Sequence, residues 1–146
     1  MKRKFSIILL FISSWVFSAC SKGGGSGGSG GGGGNTAPAE QSLSVSINPD
    51  PAGSVVPALA ASYNFKLVIN STPPAAGVKI DITGTKDVDN STQFSQTTQT
   101  SSSSITSVDL SVQNLTPGIL YVVKVDVTSN TTPTNKTSTS FKIARK

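Results

Sequence analysis

One cysteine, Cys20, no histidine and seven acidic side chains are the reactive groups of this 146-residue chain. Without histidine, imidazole-based triads, Cys–His pairs and the usual zinc ligand sets lack their parts. The acids are Glu40, Asp50, Asp81, Asp87, Asp89, Asp109 and Asp126. Asp81 and Asp126 fall on the outward parity of alternating apolar runs, where a solvated surface charge is expected. Asp87-Val88-Asp89-Asn90 has the look of a calcium loop but lacks its turn glycine and its distal glutamate. Carboxylate hydrolysis would need Asp87, Asp89 and another acid to converge within about 9 Å around a cleft. The expectation is a chain that is not an enzyme, with no catalytic residue, cofactor or metal.

Cys20 then needs another use. It follows a basic stretch, Lys2, Arg3 and Lys4, and an apolar run from Phe5 to Phe17 broken only by Ser6, Ser13 and Ser14. That is the layout of a secretory signal. As a helix these thirteen residues would cover about 20 Å, against a hydrocarbon core of roughly 30 Å, so cleavage is expected rather than a stable span. A plain peptidase cut before Cys20 would place Phe17 where a small side chain is required.

Phe17-Ser18-Ala19-Cys20 resembles the lipobox of bacterial lipoproteins, with Phe17 where Leu is usual. The resemblance implies a diacylglyceryl group on the Cys20 thiol, removal of residues 1–19, and acylation of the new amine. Three acyl chains exceed the two signals that stable anchoring takes. Ser21 stands where aspartate would resemble an inner-membrane retention signal, so the bacterial cell envelope, and its outer membrane, is the favoured address. The leaflet stays open, periplasmic or surface-facing.

Residues Gly23 to Gly34 hold ten glycines and two serines, which bury nothing and carry maximal backbone entropy. The expected organisation is a signal over residues 1–19, a lipidated cysteine and disordered linker over 20–41, and one domain over 42–146. Some twenty linker residues span about 25 Å as a coil. A phosphate-binding loop is excluded, because no strand, helix or Lys-Ser/Thr flanks the glycines. Removing Lys2, Arg3 and Lys4 from the twelve basic residues leaves nine against seven acids. That excess of two is spread along the chain, so nucleic acid is not an expected partner.

From Leu43 on, apolar residues alternate with polar ones, the period of half-buried strands. Leu43, Val45 and Ile47 form one run; Tyr63, Phe65, Leu67 and Ile69 the next; then Val78, Ile80 and Ile82. Val108, Leu110 and Val112 follow, then Tyr121, Val123, Val125 and Val127, then Phe141 and Ile143. A seventh strand is placed near Gln93 to Thr100, anchored by Phe94. Pro49, Pro51, Pro57, Pro73-Pro74, Gly77, Gly84 and Pro133 read as breaks between runs. From Ser91 to Ser107, twelve of seventeen residues are Ser or Thr, read as strands with solvated outer sides and a loop between. The pattern predicts an all-β, seven-stranded antiparallel sandwich.

The run Leu115-Thr116-Pro117-Gly118-Ile119-Leu120-Tyr121-Val122-Val123-Lys124-Val125 resembles the L-x-P-G-x-x-Y-x-V-x-V segment of fibronectin type III domains. In that family the tyrosine opens strand F, its hydroxyl caps backbone at the E–F corner, and the leucine packs under the turn. Leu115, Pro117, Gly118 and Tyr121 are therefore expected to build a structural corner. The strand-B tryptophan of that family has no counterpart, and another immunoglobulin-like topology is the alternative. Seven alternating strands put the termini at opposite ends, with the tether arriving beside the loops near Ser71 to Gly77 and Ser129 to Lys136.

These features predict a lipid-anchored, non-enzymatic module for structural or adhesive contact with another envelope protein. The alternative is a carbohydrate-binding accessory lipoprotein of an outer-membrane glycan-uptake system. It needs exposed rings, and four of Tyr63, Phe65, Phe94, Tyr121 and Phe141 fall on inward positions, leaving Phe94 as the candidate for exposure. The residues carry no signal of oligomeric state.

Overall fold

A computed structural model describes residues 39–146. Among them there is no helix, and eight strands form two sheets. The strands are β1 (Val45–Asn48), β2 (Val55–Ala58), β3 (Tyr63–Ile69), β4 (Val78–Lys86), β5 (Thr92–Gln99), β6 (Ser107–Val112), β7 (Leu120–Ser129) and β8 (Lys136–Arg145). The smaller sheet runs β1-β3-β6 and the larger β2-β8-β7-β4-β5. Both contribute to a single core, giving a sandwich-like arrangement.

Period-two alternation is what builds it. On β7, Tyr121, Val123, Val125 and Val127 are buried, while Lys124 between them is exposed. Val78, Ile80 and Ile82 on β4 and Phe65, Leu67 and Ile69 on β3 do the same from their own strands. Burying one Val, Leu or Ile side chain contributes roughly 1.5–3 kcal/mol, so a one-residue slip in register would forfeit a whole strand's share. Between the sheets Tyr63, Phe65 and Phe141 form an aromatic cluster, with the Phe65 and Phe141 rings edge to face at 5.3 Å. That separation and tilt suit the ring quadrupoles.

The strands number eight rather than seven. The addition is β2, inside the stretch read as a proline-rich break. It is an edge strand with one neighbour, so the N–H that Pro57 lacks is not required on its open side. Nor is every pairing antiparallel, because β2 runs parallel to β8. After β1 the chain crosses from the smaller sheet to the larger through a turn in which Ser54 N–H donates to Pro51 O. It keeps its heading as it crosses, and β2 therefore arrives alongside β8 in the same direction.

Gly84, read as a break, lies within β4, opposite Phe94 of β5. A Cβ on Gly84 would fall 1.9 Å from Phe94 Cζ, so the ring occupies the space a side chain would need. Phe94 is consequently half-buried against the core rather than presented to solvent. The register of β4 against β5 shifts just past this contact.

Candidate functional site

Cys20 lies outside the described residues. The described surface offers two ends and two sheet faces, and the chain's N-terminal approach is fastened at one end. Glu40 accepts hydrogen bonds from Ser129 Oγ (3.0 Å) and from Asn135 Nδ2. Asn135 also donates to Gln41 O (2.9 Å), and its Oδ1 accepts from Leu43 N–H (2.9 Å). Gln41 Oε1 accepts from Thr72 N–H (2.9 Å). Asn135 thus holds residues 40, 41 and 43 of the incoming chain against the β7–β8 loop, and Gln41 ties it to the β3–β4 loop at Thr72. Residues 40 and 41, assigned to the linker on composition, bond to the folded body here. The expected strand order brought the tether to these two loops, but the particular partners Glu40, Ser129 and Asn135 carry no local signal, being 89 to 95 residues apart.

The opposite end is the β6–β7 corner. Tyr121 is fully buried, and its hydroxyl accepts from Thr116 N–H at 3.1 Å. Leu115 is buried beneath the turn, its N–H donating to Ala61 O and its carbonyl accepting from Arg145 Nη1. Pro117 bridges to Arg145, and Gly118 takes a φ of +75° while donating to Arg145 O. The four corner residues are brought together by backbone and packing bonds, with no reactive group among them. At this end Leu59, next after β2, and Val88, in the β4–β5 turn, are strongly exposed.

The acids do not assemble. Asp87 pairs with Lys142 (2.9 Å), Asp109 with Lys66 (3.0 Å), and Asp50 accepts from Ala52 N–H. Asp89 accepts from the hydroxyl and the N–H of Ser91, which holds its carboxyl below the usual range. Among the described residues no group of three potential metal ligands occurs. Asp81 and Asp126 do lie directly opposite each other on β4 and β7, facing out from the larger sheet. Each is matched by the lysine two residues before it on the same face, Lys79 at 2.8 Å and Lys124 at 2.8 Å. On the smaller sheet's side an open depression of about 620 Å³ is lined by Asn48, Asn64, Lys66 and Asp109, with Gln96 of β5.

Asp81 gives a pH prediction. The Lys79 ammonium, and after it the Thr97 hydroxyl, hydrogen-bond the Asp81 carboxylate and lower its pKa. A folded-state pKa below the unfolded value of about 3.9 means the contribution to stability is present above that value. It is lost as pH falls through the still lower folded pKa. The side chain is one-third exposed, so solvent screens the effect and it is modest. Asp81→Asn should melt slightly below the wild-type chain at pH 7, and the gap should narrow as the pH is lowered below the ordinary carboxylate range. Thermal melts of both chains at neutral and acid pH check this, and a gap that widens in acid would refute it.

No protein-family model matches the sequence, and no curated protein matches it.

Proposed function

We propose that this chain is a bacterial envelope lipoprotein, anchored by acyl chains on Cys20, that holds a non-enzymatic sandwich domain on a Gly/Ser tether for structural or adhesive protein contact. The observation that carries the reading is the polarity of the domain. The incoming chain is bonded to the β3–β4 and β7–β8 loops through Glu40, Gln41 and Asn135, and the exposed apolar residues Leu59 and Val88 lie at the other end. A domain tethered at one end presents the other. The glycan-binding alternative needs exposed rings, whereas Tyr63, Phe65, Phe94, Tyr121 and Phe141 all belong to the core or pack against it.

The fibronectin type III-like reading is supported by the corner around Tyr121 and by where β5 pairs. In a constant-type immunoglobulin sandwich the fourth strand joins the A-B-E sheet. Here β5 extends the sheet that holds β4, β7 and β8, leaving β1, β3 and β6 as a three-stranded layer.

Intact-mass analysis of the mature chain from bacterial membranes tests the anchor. The expected result is an N-terminus at Cys20 carrying three acyl chains, with Cys20→Ser losing the acyl mass and retaining residues 1–19. An unmodified thiol at residue 20, or removal of residues 1–19 from Cys20→Ser, would overturn it.

A further inference from the structure

Of the four strands that end a sheet, three carry a recognised block against further pairing. β1 and β2 are four residues each, with Pro49 following β1 and Pro57 within β2. β6 displays Asp109, ion-paired to Lys66. The fourth, β5, is eight residues long, Thr-Gln-Phe-Ser-Gln-Thr-Thr-Gln, without a charge, a proline or a glycine. Natural sheets use short strands, charge, proline and bulges to prevent unwanted edge pairing; β5 has a bulge at Gln93, between the Thr85↔Thr92 and Gly84↔Phe94 pairs, but from Phe94 to Gln99 it uses none of them.

The backbone groups it offers can be read from the ladder. Thr100 N–H donates to Val78 O at 2.8 Å, one step beyond the Lys79↔Gln99 pair. In an antiparallel ladder bonded and non-bonded pairs alternate. Phe94, Gln96 and Thr98 therefore direct N–H and C=O toward β4, and Ser95, Thr97 and Gln99, beyond the bulge at Gln93, direct theirs outward.

We infer that β5 pairs antiparallel with β5 of a second copy of this chain, joining the two larger sheets. This rests on the reading of the domain as a contact module and names its partner. In one register Gln96 lies opposite Gln96 of the copy, and the outward groups of Ser95 meet those of Thr97 on both sides of the two-fold. Phe94 then lies opposite Thr98 of the copy, which covers a ring now only half-buried. No like charges meet, because the strand has none. The contact is narrow and belongs to the weak class of interface, below about 1,200 Å², so the dimer yield rises with the concentration of the chain, and the detergent arm is run at high protein concentration. Since the paired strands are antiparallel, the two Glu40 ends leave from opposite ends of the joined sheet. That geometry suits a contact between chains anchored on two facing surfaces.

The test uses the full chain with p-benzoylphenylalanine in place of Ser95 or, as control, in place of Ser46 on β1, irradiated both in lipid vesicles and in detergent solution. The Ser95 probe is expected to give a covalent dimer of the chain and the Ser46 probe none. Thr97→Pro should lower the dimer yield at least tenfold, since its missing N–H points to the open edge. As Thr97→Pro also removes the hydroxyl bonded to Asp81, a second pair guards against misfolding. Gln96→Lys and Gln96→Glu should each lose the dimer alone and regain it when mixed. Equal dimer from both probes, or no dimer at Ser95, or failure of the charge-swapped pair to recover, overturns the inference. The detergent arm needs no acyl chain, so loss of dimer there is separable from an error in the lipoprotein reading.

Discussion

Tyr121→Ala is expected to lower the unfolding free energy by about 4 kcal/mol, and Tyr121→Phe by only about 1 kcal/mol. The tyrosine is the largest fully buried side chain among the described residues. Truncating a buried aromatic ring forfeits its transfer free energy and leaves a cavity, together about 3–5 kcal/mol. The hydroxyl is a separate and smaller contribution. It accepts from Thr116 N–H, and Thr116 itself is exposed, so water can serve that donor once the hydroxyl is gone. A domain of this size is stable by roughly 5–15 kcal/mol, so the alanine variant should lose a large part of the total. At about 4–8 °C per kcal/mol, its melting temperature should fall by some 16 °C or more, against a few degrees for phenylalanine. Urea unfolding of the three full-length chains measures this. Equal losses from alanine and phenylalanine would mean that the hydroxyl, and not ring burial, holds the β6–β7 corner.

That corner was legible because its parts are contiguous: Leu115, Pro117, Gly118 and Tyr121 lie within seven residues. The strands with clear alternation, β3, β4 and β7, were legible for a similar reason, since burial on one face writes a period of two into the sequence. What the sequence concealed were features that depend on a partner far along the chain. Pro57 argues against a strand until β8 is known to lie on only one side of it. Gly84 reads as a break until Phe94 fills the place of its side chain. Glu40, in a stretch that composition assigns to the tether, acquires a role only when Ser129 and Asn135 are brought to it. The open edge of β5 is of the same kind. Its Ser/Thr-rich composition is visible in the sequence, but its position at the end of a sheet is a matter of topology.

Gly77→Ala should destabilise the chain by about 3 kcal/mol, and Gly118→Ala by about 1 kcal/mol, although the two glycines share a φ of +75°. For an L-residue the left-handed region costs roughly 1–2 kcal/mol, and at Gly118 that is all there is to expect, because nothing lies within 4 Å of an added Cβ. At Gly77 the same Cβ would fall 2.3 Å from Thr100 O and 2.5 Å from Thr100 Oγ1. Neither atom is free to retreat. Thr100 is buried, its N–H donates to Val78 O, its hydroxyl accepts from Val78 N–H, and its carbonyl accepts from Asn130 Nδ2. Gly77 is itself fixed, donating to Pro74 O and accepting from Asn130 N–H. A methyl at residue 77 must therefore push β4 away from the end of β5 and loosen Asn130 in the β7–β8 loop, breaking bonds in two places at once. Paired thermal melts of the two variants separate local backbone strain from this steric conflict. Similar shifts for both would show that Thr100 yields freely and that the hydrogen-bonded junction at this end of the sheet is softer than its bonds imply.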